Sequence, residues 1–84
     1  MGRPPAIRAA ADAAFGSWTQ AYTTVFESAG LAADTARPLA TFVVTAIEGA
    51  VLLARATHSL QPLRNCGNQL DLLLVAHLQG AVRS

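Results

Sequence analysis

The stretch from Leu39 to Ala56 constrains this sequence most, because it is almost entirely apolar. Its polar side chains are Thr41, Thr45, Glu48 and Arg55. At 100° per residue, these four side chains fall within an arc of about 80° of a helix. A helix that is apolar over about three-quarters of its circumference must be covered on more than one side. Two short neighbours in a chain of 84 residues cannot easily supply that cover, so the sequence predicts contact with a second chain.

The apolar part of this helix divides into two adjacent strips that both contain small residues. The first strip consists of Phe42, Ala46, Gly49, Leu53 and Ala56, and the second of Val43, Ile47, Ala50, Val51 and Ala54. Small residues at this spacing allow another helix to come very close. A glycine in mid-helix costs about 1 kcal/mol relative to alanine, so we expect Gly49 to lie at such a close approach. The sequence does not decide which strip faces a partner.

Helical periodicity in the rest of the chain predicts an all-α fold with three main helices. Alanine, the commonest residue, favours helix as well. The expected spans are about 5–29, 36–57 and 61–79. The first predicted helix carries four of the five aromatic side chains, at steps of three and four residues.

Residues suited to helix ends set the predicted boundaries. Gly30 and Gly80 are expected to end the first and third helices, and residues 81–84 should fray. Thr35 is the expected cap of the second helix, because Pro38 then falls in the first turn, where its missing N–H costs little. Pro62 suits the start of the third helix.

The third predicted helix has a narrow apolar seam, typical of a coiled-coil-like contact. Its members repeat in alternating steps of three and four residues. They are Leu63, Cys66, Leu70, Leu73 and His77, with Leu74 and Leu78 beside them.

Composition excludes several classes of function. Cys66 is the single cysteine, so no intrachain disulfide can form, and His58 and His77 have no metal-ligand spacing with it. We expect neither a metal nor a cofactor. Six arginines and five acidic residues give a net charge of +1, without the basic stripe of a nucleic-acid-binding surface. The chain also lacks the sequence motifs of common enzymes, so we expect no catalytic activity.

Two observations concern localisation. The first ten residues lack the long apolar segment of a secretory signal, so we expect a cytoplasmic protein. The apolar run from Leu39 to Ala54 is shorter than the about 20 residues that span a membrane, and it contains Glu48. Insertion would be close to break-even, so a small membrane protein remains an alternative to a helix buried by partners.

The stretch AGLAADTARPLATFVVTAIEGAVLLARATHSLQPLRNCGNQLDLLL, Ala29 to Leu74, resembles the C-terminal regulatory domain of TetR/AcrR-family transcriptional regulators. The similarity lies in the AGL turn, the IEGAVLLARA core and the leucine helix that begins at Pro62. The segment from Phe15 to Trp18 is similar to the preceding helix of such domains. The chain is thereby identified as a single truncated domain, 1–84, of this family.

The resemblance implies that the last two helices form a four-helix bundle with those of a second subunit, giving a homodimer. It also implies a pocket for a small effector molecule, lined in part by Phe15, Trp18 and Tyr22. No part of the chain corresponds to the family's helix-turn-helix domain, so contact with DNA would depend on a missing N-terminal domain. The expected interface residues are Phe42, Ala46, Gly49, Ala50, Leu53, Leu63, Cys66, Leu70, Leu73, Leu74 and His77.

The expected function is therefore dimerisation and partial effector binding in a TetR-like regulator. The resemblance implies that effector binding changes the separation of two DNA-binding domains across the dimer interface. A small helical assembly protein without a ligand is the main alternative. Glu48 could hold a cationic effector group, although a solvated carboxylate is the simpler interpretation. The sequence does not identify the effector or the operator, and it does not say whether the chain is a natural truncation or a fragment of a longer regulator.

Overall fold

The computed structural model describes the backbone of residues 5–83 and the side chains of residues 5–80. It consists of three helices: α1 (Pro5–Ser28), α2 (Ala33–Thr57) and α3 (Gln61–Arg83). The predicted all-α fold with three helices is confirmed.

α2 lies between the other two helices. α1 packs against α2, and α3 packs against α2, but no Cα atom of α1 lies within 8 Å of a Cα atom of α3 in residues 5–83. The described molecule extends 47 × 30 × 15 Å. A single helix with its side chains is about 10–12 Å across, so the three helices form one layer.

The core of this layer is small and lies mainly on α2. Four α2 side chains, Ala36, Leu39, Ala40 and Val43, form a buried cluster with one side chain from each neighbouring helix, Phe26 of α1 and Leu70 of α3. The α2 members are spaced by three and four residues, so they occupy one face of the helix. The core therefore uses the part of α2 that α1 and α3 can reach together.

α1 ends at Gly30, as predicted. Gly30 has a φ of 107°, its N–H donates to the carbonyl oxygen of Glu27, and the N–H of Leu31 donates to that of Phe26 at 3.0 Å. This pair of bonds is a Schellman motif, and Leu31 packs against the cluster that contains Phe26, a contact that often accompanies the motif.

α2 begins three residues earlier than predicted, so the prediction of Thr35 as its cap is wrong. The cap position is Ala32, whose side chain makes no capping hydrogen bond. Its carbonyl oxygen accepts instead from the N–H of Ala36 at 2.8 Å and from that of Thr35 at 3.0 Å. Ala36 is completely buried, so packing against the core, and not a side-chain cap, fixes the first turn.

α3 begins where predicted but does not end at Gly80. The Ser59 hydroxyl accepts a hydrogen bond from the N–H of Gln61 at 3.1 Å at the start of the helix. The helix then continues through Gly80 to Arg83. The prediction that the helix ends at Gly80 and frays is therefore wrong for residues 81–83, and Ser84 lies outside the described residues. A glycine costs a helix only about 1 kcal/mol, which does not by itself end it.

Candidate functional site

The two apolar strips of α2 have different surroundings. In the second strip, Val43 and Ala50 are buried within the chain, and its other members are half-buried. In the first strip, Phe42 and Leu53 are 54% and 57% exposed. Gly49 and Ala56 are also exposed, whereas Ala46 is half-buried. α1 and α3 therefore cover the second strip and leave most of the first strip open.

Gly49 has no packing role within its own chain. A Cβ atom built on it would have no neighbouring atom within 4 Å. Its φ is not positive either, because the described glycine with positive φ is Gly30. Nothing in the described chain therefore requires glycine at this position.

The apolar seam of α3 packs on α2 of its own chain. Leu70 is buried in the core cluster, and Cys66, Leu73 and Leu74 pack partly against that cluster. Leu63 and His77 are half-buried as well. The structure thus brings most of the seam residues onto the chain's own core, and every member except Leu70 keeps part of its surface exposed.

α1 and α2 enclose two grooves that share two α2 side chains, Val44 and Glu48. The first, named here the Trp18 groove, has a volume of about 450 Å³. The second, named here the Phe15 groove, has a volume of about 370 Å³. The Trp18 groove is lined by Trp18, Ala21, Tyr22, Val44, Ile47 and Glu48. The Phe15 groove is lined by Phe15, Thr19, Thr41, Val44, Thr45 and Glu48.

The three aromatic side chains predicted to line an effector pocket lie at these grooves. Phe15, Trp18 and Tyr22 are between 37% and 47% exposed, so they are not ordinary core residues. The rings of Phe15 and Trp18 meet edge to face, with centroids 5.4 Å apart. The ring of Tyr22 lies 6.1 Å from that of Phe26, which is itself buried. These contacts hold the groove-lining rings against one another and against the core.

Glu48 is the polar side chain that the two grooves have in common. It is half-buried, and no hydrogen bond or ion pair involves it among the described residues. Sequence analysis identified Glu48 but not its neighbours Val44 and Ile47. Val44 precedes Ile47 by three residues and Glu48 by four, and this spacing was the available signal, because residues three and four apart are neighbours on a helix.

A third groove, of about 340 Å³, lies at the turn between α2 and α3. Of the predicted site residues, only Leu63 lines it. The other lining residues are Val51, Ala54, Arg55, His58, Ser59 and Leu60. It differs from the α1–α2 grooves in containing basic side chains.

The described residues bear on two further possibilities, a metal site and a membrane-spanning helix. Within residues 5–83, no group of three His, Cys, Asp or Glu side chains could hold a metal ion. α2 is long and apolar enough to cross a membrane by length and composition, with a mean hydropathy of 1.7, and core helices of soluble proteins pass the same test.

Comparison with known proteins assigns these helices to a class of regulators. Residues 1–69 match the TetR C-terminal family described as "Transcriptional regulator LmrA/YxaF-like, C-terminal domain". Two curated relatives are the uncharacterized HTH-type transcriptional regulators MT0206 and Rv0196 of Mycobacterium tuberculosis, from strains CDC 1551 / Oshkosh and H37Rv. Each is 38% identical over 72 residues, which cover 86% of this chain and 37% of the relative. No solved structure matches the chain significantly.

Proposed function

Since the chain belongs to the family of LmrA/YxaF-like C-terminal domains of TetR transcriptional regulators, we propose that it is the dimerisation region and part of the effector-binding region of such a regulator. Residues 1–84 form one regulatory domain in this proposal. The domain acts by binding and not by catalysis, and it works in the cytoplasm, where a regulator reaches DNA.

The observation that carries the proposal is the open first strip of α2. Phe42 and Leu53 are more than half exposed on a helix whose adjacent face forms the core. Large apolar side chains that line up on one face are typical of a protein interface. We propose that the same strip of a second copy covers them, with Gly49 at the closest approach of the two helices.

The surface area of the chain supports an obligate partner. Its accessible surface is 6059 Å². A compact protein of this mass, 8.7 kDa, would expose about 4,700 Å². The excess, about 1,300 Å², is larger than the about 800 Å² that one partner contributes to a standard interface. A second layer of two helices would remove that excess and complete a four-helix bundle.

In the proposed bundle, α3 contacts the partner through seam residues that its own chain covers only in part. In a four-helix bundle each helix contacts two neighbours, so residues that pack on one neighbour also reach the next. Leu73 and Leu74 pack on the core cluster and keep part of their surface exposed. They are the α3 side chains that we expect beside the partner's α2.

The effector-binding part consists of the grooves between α1 and α2. The Trp18 groove has a volume in the range of small-molecule sites and is lined mainly by apolar side chains. We propose that residues outside this chain complete its wall. The bound molecule would thereby link α1 and α2 to the rest of the regulator.

Contact with DNA belongs to another part of the regulator in this proposal. The chain spans 37% of the length of the curated relatives, whose printed names describe them as HTH-type regulators. The described helices carry no basic stripe that would follow a phosphate backbone.

A matched pair of substitutions tests the dimer face. Leu53 lies on the open strip of α2, and Leu72 is 66% exposed on the side of α3 that faces away from α2. Leu53→Glu should weaken the dimer at least 30-fold, because it places a charge at a desolvated interface worth about 2 kcal/mol or more. Leu72→Glu should leave the dimer dissociation constant unchanged within about twofold. Sedimentation equilibrium of both variants measures these constants. Equal effects of the two substitutions would contradict the assignment of the face.

A further inference from the structure

We propose that the effector is an organic cation, a protonated amine with an apolar or aromatic body. This inference rests on the proposed function, because it names the chemical class of molecule that the α1–α2 grooves bind. In the proposed complex, the apolar body occupies the Trp18 groove and the ammonium group lies at Glu48.

The position of Glu48 is the first argument. Glu48 is half-buried as a residue and lines both grooves, and no described residue pairs with its carboxylate. A carboxylate without a partner in its own chain can form a charge-assisted hydrogen bond with a cationic ligand. No described Arg or His lines either groove. The negative charge of Glu48 is therefore the one charge on the lining of these two grooves, and it favours a cationic ligand.

The hydroxyl groups of the Phe15 groove give the second argument. Thr19, Thr41 and Thr45 line this groove together with Glu48. Each of the three hydroxyls donates its hydrogen to the carbonyl oxygen four residues earlier, at 2.8, 3.1 and 2.8 Å respectively. Only their oxygen lone pairs remain for a ligand. The polar atoms of this groove therefore accept hydrogen bonds, and an ammonium group with N–H donors complements them.

The aromatic side chains give the third argument. Phe15 and Trp18 are in contact and lie at the two grooves that share Glu48, and Tyr22 lines the Trp18 groove. Aromatic rings attract a cation over their faces and offer flat apolar surface to its body. A carboxylate beside aromatic rings thus favours a cation over both a neutral molecule and an anion.

The third groove of the chain shows the opposite character. It contains Arg55 and His58 beside its apolar residues, and no acidic residue lines it. Among these three grooves, the two between α1 and α2 have the acidic side chain and the additional hydroxyl acceptors.

The experiment uses three probes with one apolar body and different head groups: 4-phenylbutylamine, 4-phenylbutanol and 4-phenylbutyrate. Trp18 is the single tryptophan of the chain, so its fluorescence reports binding at the groove. We expect the amine to bind the wild-type chain at least tenfold more tightly than the alcohol, and the carboxylate to bind most weakly. Glu48→Gln should remove the preference for the amine with less than a twofold effect on the alcohol.

Two control variants accompany Glu48→Gln. Glu27→Gln removes the same charge from an exposed position of α1 that lines neither groove, and it should leave all three affinities unchanged. Glu48→Asp keeps the charge and should retain most of the preference. Circular dichroism checks the fold of each variant, and the comparison of probes on the wild-type chain needs no variant at all.

The outcomes separate this inference from the function on which it rests. Amine and alcohol binding with equal affinity to the wild-type chain would overturn the cation assignment and leave an effector groove in place. Failure of all three probes to bind a folded dimer would overturn the cation assignment and the proposed effector role, without affecting the dimer face. Loss of the preference in Glu27→Gln would show a general charge effect and would also overturn the assignment.

Discussion

His58 is the residue with the most unusual backbone in the described chain. It ends α2 with φ 53° and ψ 43°, the left-handed region, and its N–H donates to the carbonyl oxygen of Ala54. The N–H of Ser59 donates to the same oxygen at 3.1 Å. These bonds close the helix, but the conformation costs a residue with a side chain about 1–2 kcal/mol. Glycine adopts it without that cost.

Replacement of His58 by glycine should therefore stabilise the protein. We expect His58→Gly to raise the free energy of unfolding by about 1 kcal/mol, because relief of the backbone strain exceeds the added entropy of the unfolded chain. His77→Gly, within α3, should lower it instead. Urea unfolding at fixed protein concentration measures both. A loss of stability in His58→Gly would show that His58 does not hold this conformation in solution.

The substitution Gly49→Ala adds one methyl group and tests whether the α2 helices of two subunits approach closely at this position. Its Cβ position is empty within the chain, so Gly49→Ala costs an isolated subunit nothing and favours its helix by about 1 kcal/mol. In a dimer that is tightly packed at Gly49, the added methyl group should weaken association about tenfold, because overpacking costs about 1–3 kcal/mol. Sedimentation equilibrium measures the dissociation constant.

Gly16→Ala is the matched control for Gly49→Ala. Gly16 also has an empty Cβ position and lies on α1, outside the proposed dimer face. Its substitution should stabilise the helix and leave association unchanged. If Gly49→Ala behaves in the same way as Gly16→Ala, the helices do not meet at Gly49.

At the scale of the elements, helix boundaries were predictable where a single residue determines them. Gly30 is such a residue, since its positive φ is part of the motif that ends α1. The start of α2 was not predictable in this way. The buried Ala36 fixes the first turn of α2, and its burial depends on tertiary contacts. A cap preference of about 1 kcal/mol at Thr35 is too small to override them.

The early start of α2 places Pro38 inside the helix, where its ring leaves the carbonyl oxygen of Asp34 without its helical partner. We expect Pro38→Ala to raise the free energy of unfolding by about 1–2 kcal/mol, because the restored hydrogen bond and relieved clash exceed the entropy gained by the unfolded chain. Pro62→Ala is the control. Pro62 is the second residue of α3, where its missing N–H has no helical partner, so the change should be small.

The contact partners of the helices were less predictable than the helices themselves. Periodicity indicates which face of a helix is apolar, but it does not say which neighbour covers that face. The α3 seam and the second strip of α2 were both candidates for a contact between subunits. The structure packs them against each other within one chain, and it leaves the first strip, with Phe42 and Leu53, exposed.

At the scale of the whole molecule, the layered shape leaves more surface exposed than a compact chain of this size would have. Its radius of gyration is 14.9 Å, whereas a compact chain of this length has one of about 12 Å. It buries about half of the surface of its unfolded form, and a compact chain of this size buries about 62%. Length and composition could not predict this difference in buried surface, because it results from α1 and α3 each packing on α2 rather than on each other.

The aromatic residues of the candidate effector site could be predicted from the sequence, but the shape of its grooves could not. Phe15, Trp18 and Tyr22 stood out because they recur on one face of α1. The convergence of two grooves on Glu48 depends on the crossing of α1 over α2, which only the structure shows.

The mass of the purified 84-residue chain in solution tests the central claim most directly. Sedimentation equilibrium over a range of concentrations, with circular dichroism on the same sample, measures mass and helix content together. We predict a helical dimer of twice 8.7 kDa, since a second copy would cover the open strip of α2. A stable, fully helical monomer at all concentrations would contradict the claim that α2 forms an interface between two copies of this chain.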